Sequence, residues 1–524
     1  MLKMLKLSIV GAFWALGGTA SSDQDCSQIN TFEFAQNLKS EVVETCAQNG
    51  GMSLFEKPDS AGSMFLHNVI RSSVYSNDID TLFSHSSADS WTKQLAKTDK
   101  SGRTAMQIAV EEAKTPEILL RLISFGGDNS SETNLDDEDV VSLSLRMVGR
   151  EDFAAVLLAL GRDPKTERYA SSTAEALANP EDYSPEIDPI VYKRSEICAD
   201  SPSDLERDTL EEAQQNYCAA HIYAKDPLKT DPDGNTFLHS AIKIGFGPEF
   251  IDAFLSNIDE EAGGFFRGGS DNRGKVLASS NVEGFTALGM AAKFSKDPNV
   301  ITHLIGWGAE PNAPQGKVRE QNLLNKVALQ NPKADRSLHL VALRNDDLRF
   351  KMMLRLLAGG ASPSSQDAKG NTALHLLLRK SDTQPNEVTV DEIALLMQVE
   401  EAKQWFSGEN EVINNDAGAT PLHLAVARDL DFLVFQELVS FGADPDTLNN
   451  SDNKEGAMSA LFHYGHSGKD PDVFELMLDA SKNACGISVQ GNSLQAVLAK
   501  NKTLRETKTD GGELAMSLFK KKCP

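Results

Sequence analysis

One phrase of apolar and polar residues recurs along this chain. A glycine in a turn is followed by Thr or Ser, then a small residue or Pro, then Leu and His, with Ala three residues after the Leu. The fullest copy is Asp416-Ala417-Gly418-Ala419-Thr420-Pro421-Leu422-His423-Leu424-Ala425. Gly234-Asn235-Thr236-Phe237-Leu238-His239 and Gly370-Asn371-Thr372-Ala373-Leu374-His375 follow it closely, and looser copies begin at Gly62, Gly102, Gly284 and Ser337. The phrase predicts the start of a helix, because a Thr oxygen can cap a free backbone N–H there. Leu422 and Ala425 then share one face. A second signal lies downstream: Gly442, Gly308 and Gly126 each come 22 residues after Thr420, Thr286 and Thr104. Apolar pairs precede them (Leu438 and Val439, Leu304 and Ile305, Leu122 and Ile123), predicting a second helix closed by a left-handed glycine. Counting back from Gly161 by the same interval reaches Asp139, a worn copy with Val141 and Ser142 in the Leu-His places.

These residues resemble the ankyrin repeat, over most of residues 27–522. The resemblance implies an all-α solenoid of about nine helix-pair repeats. A single helix pair cannot hide its apolar side alone, so neighbours must stack. It also implies that the histidine of each phrase ties adjacent turns by hydrogen bonds. Family repeats recur about every 33 residues. Here the Leu position advances by 40 and 35 from Leu66 through Met106 to Val141, and by 50, 50, 36 and 48 from Leu238 to Leu422. The excesses read as insertions. One repeat, at Ser459-Ala460-Leu461-Phe462, carries Phe in the His place.

A duplication divides the array. Cys26 and Cys46 are twenty residues apart, as are Cys198 and Cys218, and sixteen residues separate the second cysteine from the repeat glycine in both cases. Two tandem arrays follow, residues 21–164 and 198–524, each opening with a disulfide-tied cap, with 165–197 as a Pro-, Ser- and acid-rich linker. Cys485 and Cys523 would tie a closing cap built from the segments Ser493–Lys500 and Gly512–Lys522. Six cysteines allow fifteen pairings, so neighbour pairing rests on proximity in the chain. Residues 1–20 read as a secretory signal: Lys3 and Lys6, an apolar run from Leu7 to Gly17 too short to span a bilayer, and small residues before a cut after Ala20. The expectation is export to the periplasm or beyond, where disulfides persist. The first cap looks like the opening segment of exported bacterial ankyrin proteins.

Acidic residues outnumber basic ones by 76 to 51. Such a body repels nucleic acid and anionic lipid. No membrane span and no cofactor are expected, since phosphate-cradling, nucleophile-elbow and HExxH motifs are absent from the sequence. Five of the ten histidines (His67, His239, His339, His375, His423) sit in the repeat phrase. His463 and His466, near Asp470, are spaced to share a helix face, but a two-histidine set lacks a third ligand. Asp231-Pro232-Asp233-Gly234 lacks the spacing of a calcium loop. The insertion Asp259–Gly269 holds Phe265 and Phe266 among paired glycines, and these rings either fold back into the groove or dock a partner.

The leading expectation is therefore a non-catalytic scaffold that binds an unidentified protein through its concave face and turn tips. Its candidate contacts are Arg103, Asn235, Phe265, Phe266, Phe285, Asn371 and Ala419. An enzyme or metal-dependent protein using an inserted segment is the alternative, and a passive spacer a third reading.

Overall fold

The computed structural model describes residues 58–59, 62–73, 76–84, 93–127, 139–165, 168–180, 182–183, 185, 220, 223–260, 272–316, 334–379, 388–399, 414–449 and 457–524. Helices dominate. The first stretch carries α1 (Phe65–Ser72), α2 (Asn77–Ser84), α3 (Ala105–Glu112), α4 (Pro116–Ser124), α5 (Val140–Arg146), α6 (Glu151–Ala159) and α7 (Ser172–Ala178). Next come α8 (Phe237–Ile244), α9 (Pro248–Glu260), α10 (Asn272–Ala278), α11 (Ala287–Phe294), α12 (Asn299–Gly306), α13 (Ser337–Ala342), α14 (Arg349–Ala358) and α15 (Ala373–Leu378). The last stretch holds α16 (Val390–Gln398), α17 (Pro421–Arg428), α18 (Phe432–Ser440), α19 (Ala460–Ser467), α20 (Pro471–Ala480), α21 (Leu494–Lys500), α22 (Lys502–Glu506) and α23 (Ala515–Lys522). Two short antiparallel strands, β1 (Ser488–Val489) and β2 (Asn492–Ser493), form a hairpin.

One turn geometry opens repeat after repeat: 59–63, 99–103, 231–235, 281–285, 367–371, 415–419 and 509–513. The first residue's N–H donates to the fifth carbonyl, and the N–H of the fourth residue, a glycine, donates back to the first carbonyl. That glycine has φ between +73° and +85°, a left-handed conformation that disfavours a Cβ. An Asp or Asn in first place also accepts the third and fifth N–H groups through its own Oδ1, as at Asp99, Asp231, Asn281, Asp367 and Asn415. This Asp or Asn, three residues before the turn glycine, is a further signal of the repeat. The last turn, 509–513, is a further copy of the motif, leading into α23.

The residue after the turn caps the first helix. Thr104, Thr286, Thr420 and Ser459 accept an N–H from the residue three positions on. The histidines then satisfy the cap residue's own N–H: Nδ1 of His67, His239, His339, His375 and His423 accepts it at 2.9–3.4 Å. On the far side of the ring, Nε2–H donates to a carbonyl farther along, Lys97, Phe285, Ser365 or Met458, at 2.9–3.2 Å. A ring accepting at one nitrogen and donating at the other is neutral. Burial agrees, pushing His67 down to about 4 and lowering His239, His339 and His423 as well.

Two repeats solve the same problem without histidine. Gln107 stands in the His place and its Oε1 accepts the Thr104 N–H at 2.9 Å. In the repeat at Thr286 the His place is Gly289, and Gln315 reaches in from the following hairpin. Its amide accepts the Thr286 N–H and donates to the Thr286 hydroxyl, both at 3.0 Å. A Cβ on Gly289 would fall 2.0 Å from Gln315 Oε1, so glycine makes room for the substitute.

Packing divides the chain into a split unit, residues 1–143 with 377–524, and a middle unit, residues 144–376. In the middle unit first helices stack on first helices (α8, α11, α13) and second helices on second helices (α9, α12, α14). The split unit stacks α17, α19 and α21 in the same way, and α16, α18 and α20 beside them. Leu422, Ala425 and Leu438 are fully buried, as their phrase requires. Each unit has a second kind of packing. Second helices from the first stretch lie against second helices from the later one: α4 on α16 in the split unit, and α6 on α14 with α7 on α12 in the middle unit. Among the described residues no helix is long and apolar enough to cross a membrane.

Candidate protein-docking surface

The turn-tip residues Arg103, Asn235, Asn371, Ala419 and Phe285 are engaged within their own repeats or with the neighbouring turn. Arg103 pairs with Asp99 at 2.9 Å, Glu111 at 2.6 Å and Glu112 at 2.7 Å. Burial works against its charge, but those carboxylates outweigh it and raise its pKa. Asn235 donates to Asp231 and accepts from Asn281. Asn371 is only 3 % exposed and donates to Asp367 at 2.9 Å. Ala419 is half-buried, its N–H on Asn415. Phe285 is 8 % exposed beneath the Lys293 ammonium, 4.4 Å from the ring centroid. Phe265 and Phe266 lie outside the described residues, as do the signal segment, Cys26, Cys46, Cys198 and Cys218. Cys485 and Cys523 form a disulfide with Cα atoms 5.4 Å apart, joining the segment after α20 to the end of α23.

What faces outward is at the other end of the first helices. Ile244 closes α8, Phe294 closes α11 and Leu343 follows α13; they are 67 %, 38 % and 41 % exposed. Ile244 and Phe294 each stand eight residues after their cap, and Leu343 seven after Arg336. All three lie at the ends of adjacent stacked helices, Leu343 at the place that Lys243 and Lys293 hold in the other two. Exposed Lys243 and Lys293 precede the first two. The adjoining Arg344 is committed elsewhere, donating to the Ala292 and Ser295 carbonyls at the end of α11 and to Asp346.

Two buried polar clusters could suggest chemistry, and both are joints. In the middle unit His303 Nδ1 meets Asp252 at 2.9 Å and Nε2 meets the Thr173 hydroxyl at 2.8 Å. Carboxylate, imidazole and hydroxyl in line resemble an activated nucleophile. Yet Trp307 Nε1 and the Tyr183 hydroxyl also donate to Asp252, and Thr173 is 8 % exposed, facing α12 rather than solvent. Burial, then the Asp252 charge, raises the Tyr183 pKa, so the phenol stays a donor. The cluster fastens α7 and Tyr183 to α9 and α12. In the split unit Arg121 pairs with Asp80 at 2.7 Å and Glu437 at 2.8 Å, tying α4 to α2 and α18. Nearby, Ser76 donates to Asp391 at 2.7 Å while Asp391 Oδ1 has no partner. Burial pushes Asp391 up to about 7 and also raises Asp80 and Glu437, against the pull of Arg121.

His463 and His466 lie on α19, the first half-buried and the second exposed. Asp470 is engaged as the cap of α20, accepting the Asp472 N–H. Among the described residues no group of three His, Cys, Asp or Glu is placed to hold a metal.

No curated protein is significantly similar to this chain. The family model for the ankyrin repeat matches residues 417–450, which cover the end of one hairpin turn and both helices α17 and α18. The chain carries an ankyrin repeat, a module whose usual work is protein–protein interaction, built here on the Thr420–His423 cap.

Proposed function

We propose that this protein is an exported, non-catalytic scaffold of the ankyrin type that binds a partner protein through the concave side of its stacked first helices. In this reading about nine repeats make two tandem arrays, 21–164 and 198–524, and the chain works in the periplasm or extracellular space after loss of residues 1–20. An envelope assembly factor, an inhibitor or immunity protein, and an effector acting on a host all suit that description.

The observation that carries the binding role is the set Ile244, Phe294 and Leu343, apolar side chains exposed at the ends of three neighbouring helices. Isolated exposed hydrophobics are ordinary, whereas an aligned set marks an interaction surface. The Cys485–Cys523 disulfide supports an oxidising compartment. So does the paired cysteine spacing.

Affinity capture from the exported fraction with the full chain as bait tests the role. One stoichiometric protein retained at moderate salt is expected. Nothing retained even at low salt would favour a passive spacer. Amino-terminal sequencing of the exported chain should begin at Ser21, and finding the whole chain in the cytosol would remove the export reading.

A further inference from the structure

Building on the protein-binding role proposed above, we infer that the middle unit reads an acidic amphipathic helix laid across the ends of α8, α11 and α13. Its apolar side chains would rest on Ile244, Phe294 and Leu343, and its carboxylates would meet Lys243 and Lys293.

Spacing is the first argument. Packed helices lie about 8–10 Å apart, so the row presents an apolar side chain at roughly that interval. A helix crossing it returns to the same face every seven residues, about 10.5 Å along its axis. A partner with apolar residues at every seventh position therefore brings one to each of the three helix ends in turn. This is the helix-in-groove mode of recognition.

Charge is the second. The chain carries a net −25, yet the side chains flanking this row are cationic. Neither Lys243 nor Lys293 pairs with a carboxylate among the described residues. The Lys293 ammonium is poised over the Phe285 and Phe294 rings, 4.4 and 5.1 Å from their centroids, so an incoming carboxylate meets a cation already placed beside the apolar contact. Beyond the helix ends come Glu249 in the first turn of α9, Asp297, and Asp346 with Asp347, of which Asp346 is offset by Arg344. The turn tips that open these repeats are acidic, with Asp231, Asp233 and Glu283, and the Lys243 charge reaches Asp231.

The test uses the full chain and a labelled, glutamate-rich synthetic helix with leucine at every seventh position. Binding is followed by fluorescence anisotropy. Two control peptides replace its glutamates by lysine or its leucines by serine. The acidic peptide should bind at least about tenfold more tightly than either control. Ile244→Ser with Phe294→Ser should weaken it about tenfold with the melting temperature unchanged, and Lys243→Glu with Lys293→Glu should shift preference to the lysine peptide. Equal binding of all three peptides, or binding indifferent to these substitutions, would overturn the inference. Binding of phosphatidylglycerol vesicles in place of the peptide would overturn it too. In the capture experiment, a partner held equally by the Ile244→Ser, Phe294→Ser variant would refute the row and leave the scaffold standing. No partner for the unaltered chain would remove the scaffold itself.

Discussion

The middle and split units use one repeat grammar to make opposite surfaces and opposite joints. Eight residues after the helix cap, the middle unit has Ile244, Phe294 and Arg344, whereas the split unit has Ser72, Glu112, Arg428 and Ser467. The polar residues here tie neighbouring repeats, as Glu112 to Arg71, Arg428 to the Leu377 carbonyl and Arg344 to the Ala292 carbonyl, whereas Ile244 and Phe294 are exposed. The buried joints differ as well. Around His303 every polar atom named above finds a partner, and one carboxylate serves three donors. Around Arg121 one guanidinium faces Asp80 and Glu437, and Asp391 stands by with an unpartnered oxygen. The lesson is that the same caps and turns secure both stacks, while the exposed helix ends and the buried polar joints differ between them.

The comparison breaks most sharply at Arg121. Arg121→Met strands two buried carboxylates and should cost about 3–5 kcal/mol in urea unfolding, whereas Arg103→Ala at a half-exposed turn network should cost at most about 1 kcal/mol. Equal losses would show that the joint is not buried. Next is the disulfide of the split unit: its 38-residue separation gives on the order of 4 kcal/mol on the chain-entropy model. The matched Cys485→Ser, Cys523→Ser chain should lower the unfolding midpoint while leaving peptide binding by the middle unit intact.

The pH response comes third, and its two parts have opposite signs. Asp391 has its pKa raised from 3.8 to about 7, so the native state binds a proton that the unfolded chain has released. Its contribution is greatest at low pH and is lost as pH rises through that window, levelling off above 7. Asp391→Asn should therefore stabilise the chain by roughly 2 kcal/mol at pH 8 and little at pH 4. The repeat histidines act the other way. The pKa values of His67, His239, His339 and His423 are lowered, His67 to about 4, so stability present above 6.5 is lost as pH falls below it.

Gln107 shows how to separate capping from titration, since it makes the cap bond and leaves its Nε2 without a partner. His239→Gln should keep the bond to Thr236, lose the one to Phe285, and cost about 1 kcal/mol at pH 8. The cost should shrink at pH 5, and an identical cost at both values would contradict a neutral native imidazole. Smallest of all, Ile244→Ser and Phe294→Ser should move stability by no more than about 0.5 kcal/mol, because these side chains already face water. A large loss would mean that the row is part of the core.

Much of the repeat was legible. Thr420, His423, Leu422, Ala425 and Gly442 each do locally what their type and spacing imply, since caps, helix faces and left-handed ends depend on residues within a few positions of one another. The turn phrase did not reveal that Asn235 and Asn371 spend their amides on Asp231 and Asp367. Nothing in the phrase at Thr286 pointed to Gln315, 29 residues away, as the missing histidine's substitute.

The linear order of residues thus determined by itself the turn, cap and helix of each repeat, because those interactions close within one or two helical turns. Only the folded chain decided that Arg121 would meet Glu437, that His303 would join Asp252 to Thr173, and that Ile244, Phe294 and Leu343 would stand in one row. Such pairings bring together side chains tens to hundreds of positions apart. Whether a given side chain is covered or left in water depends on the neighbour that arrives from elsewhere, and periodicity carries no record of that.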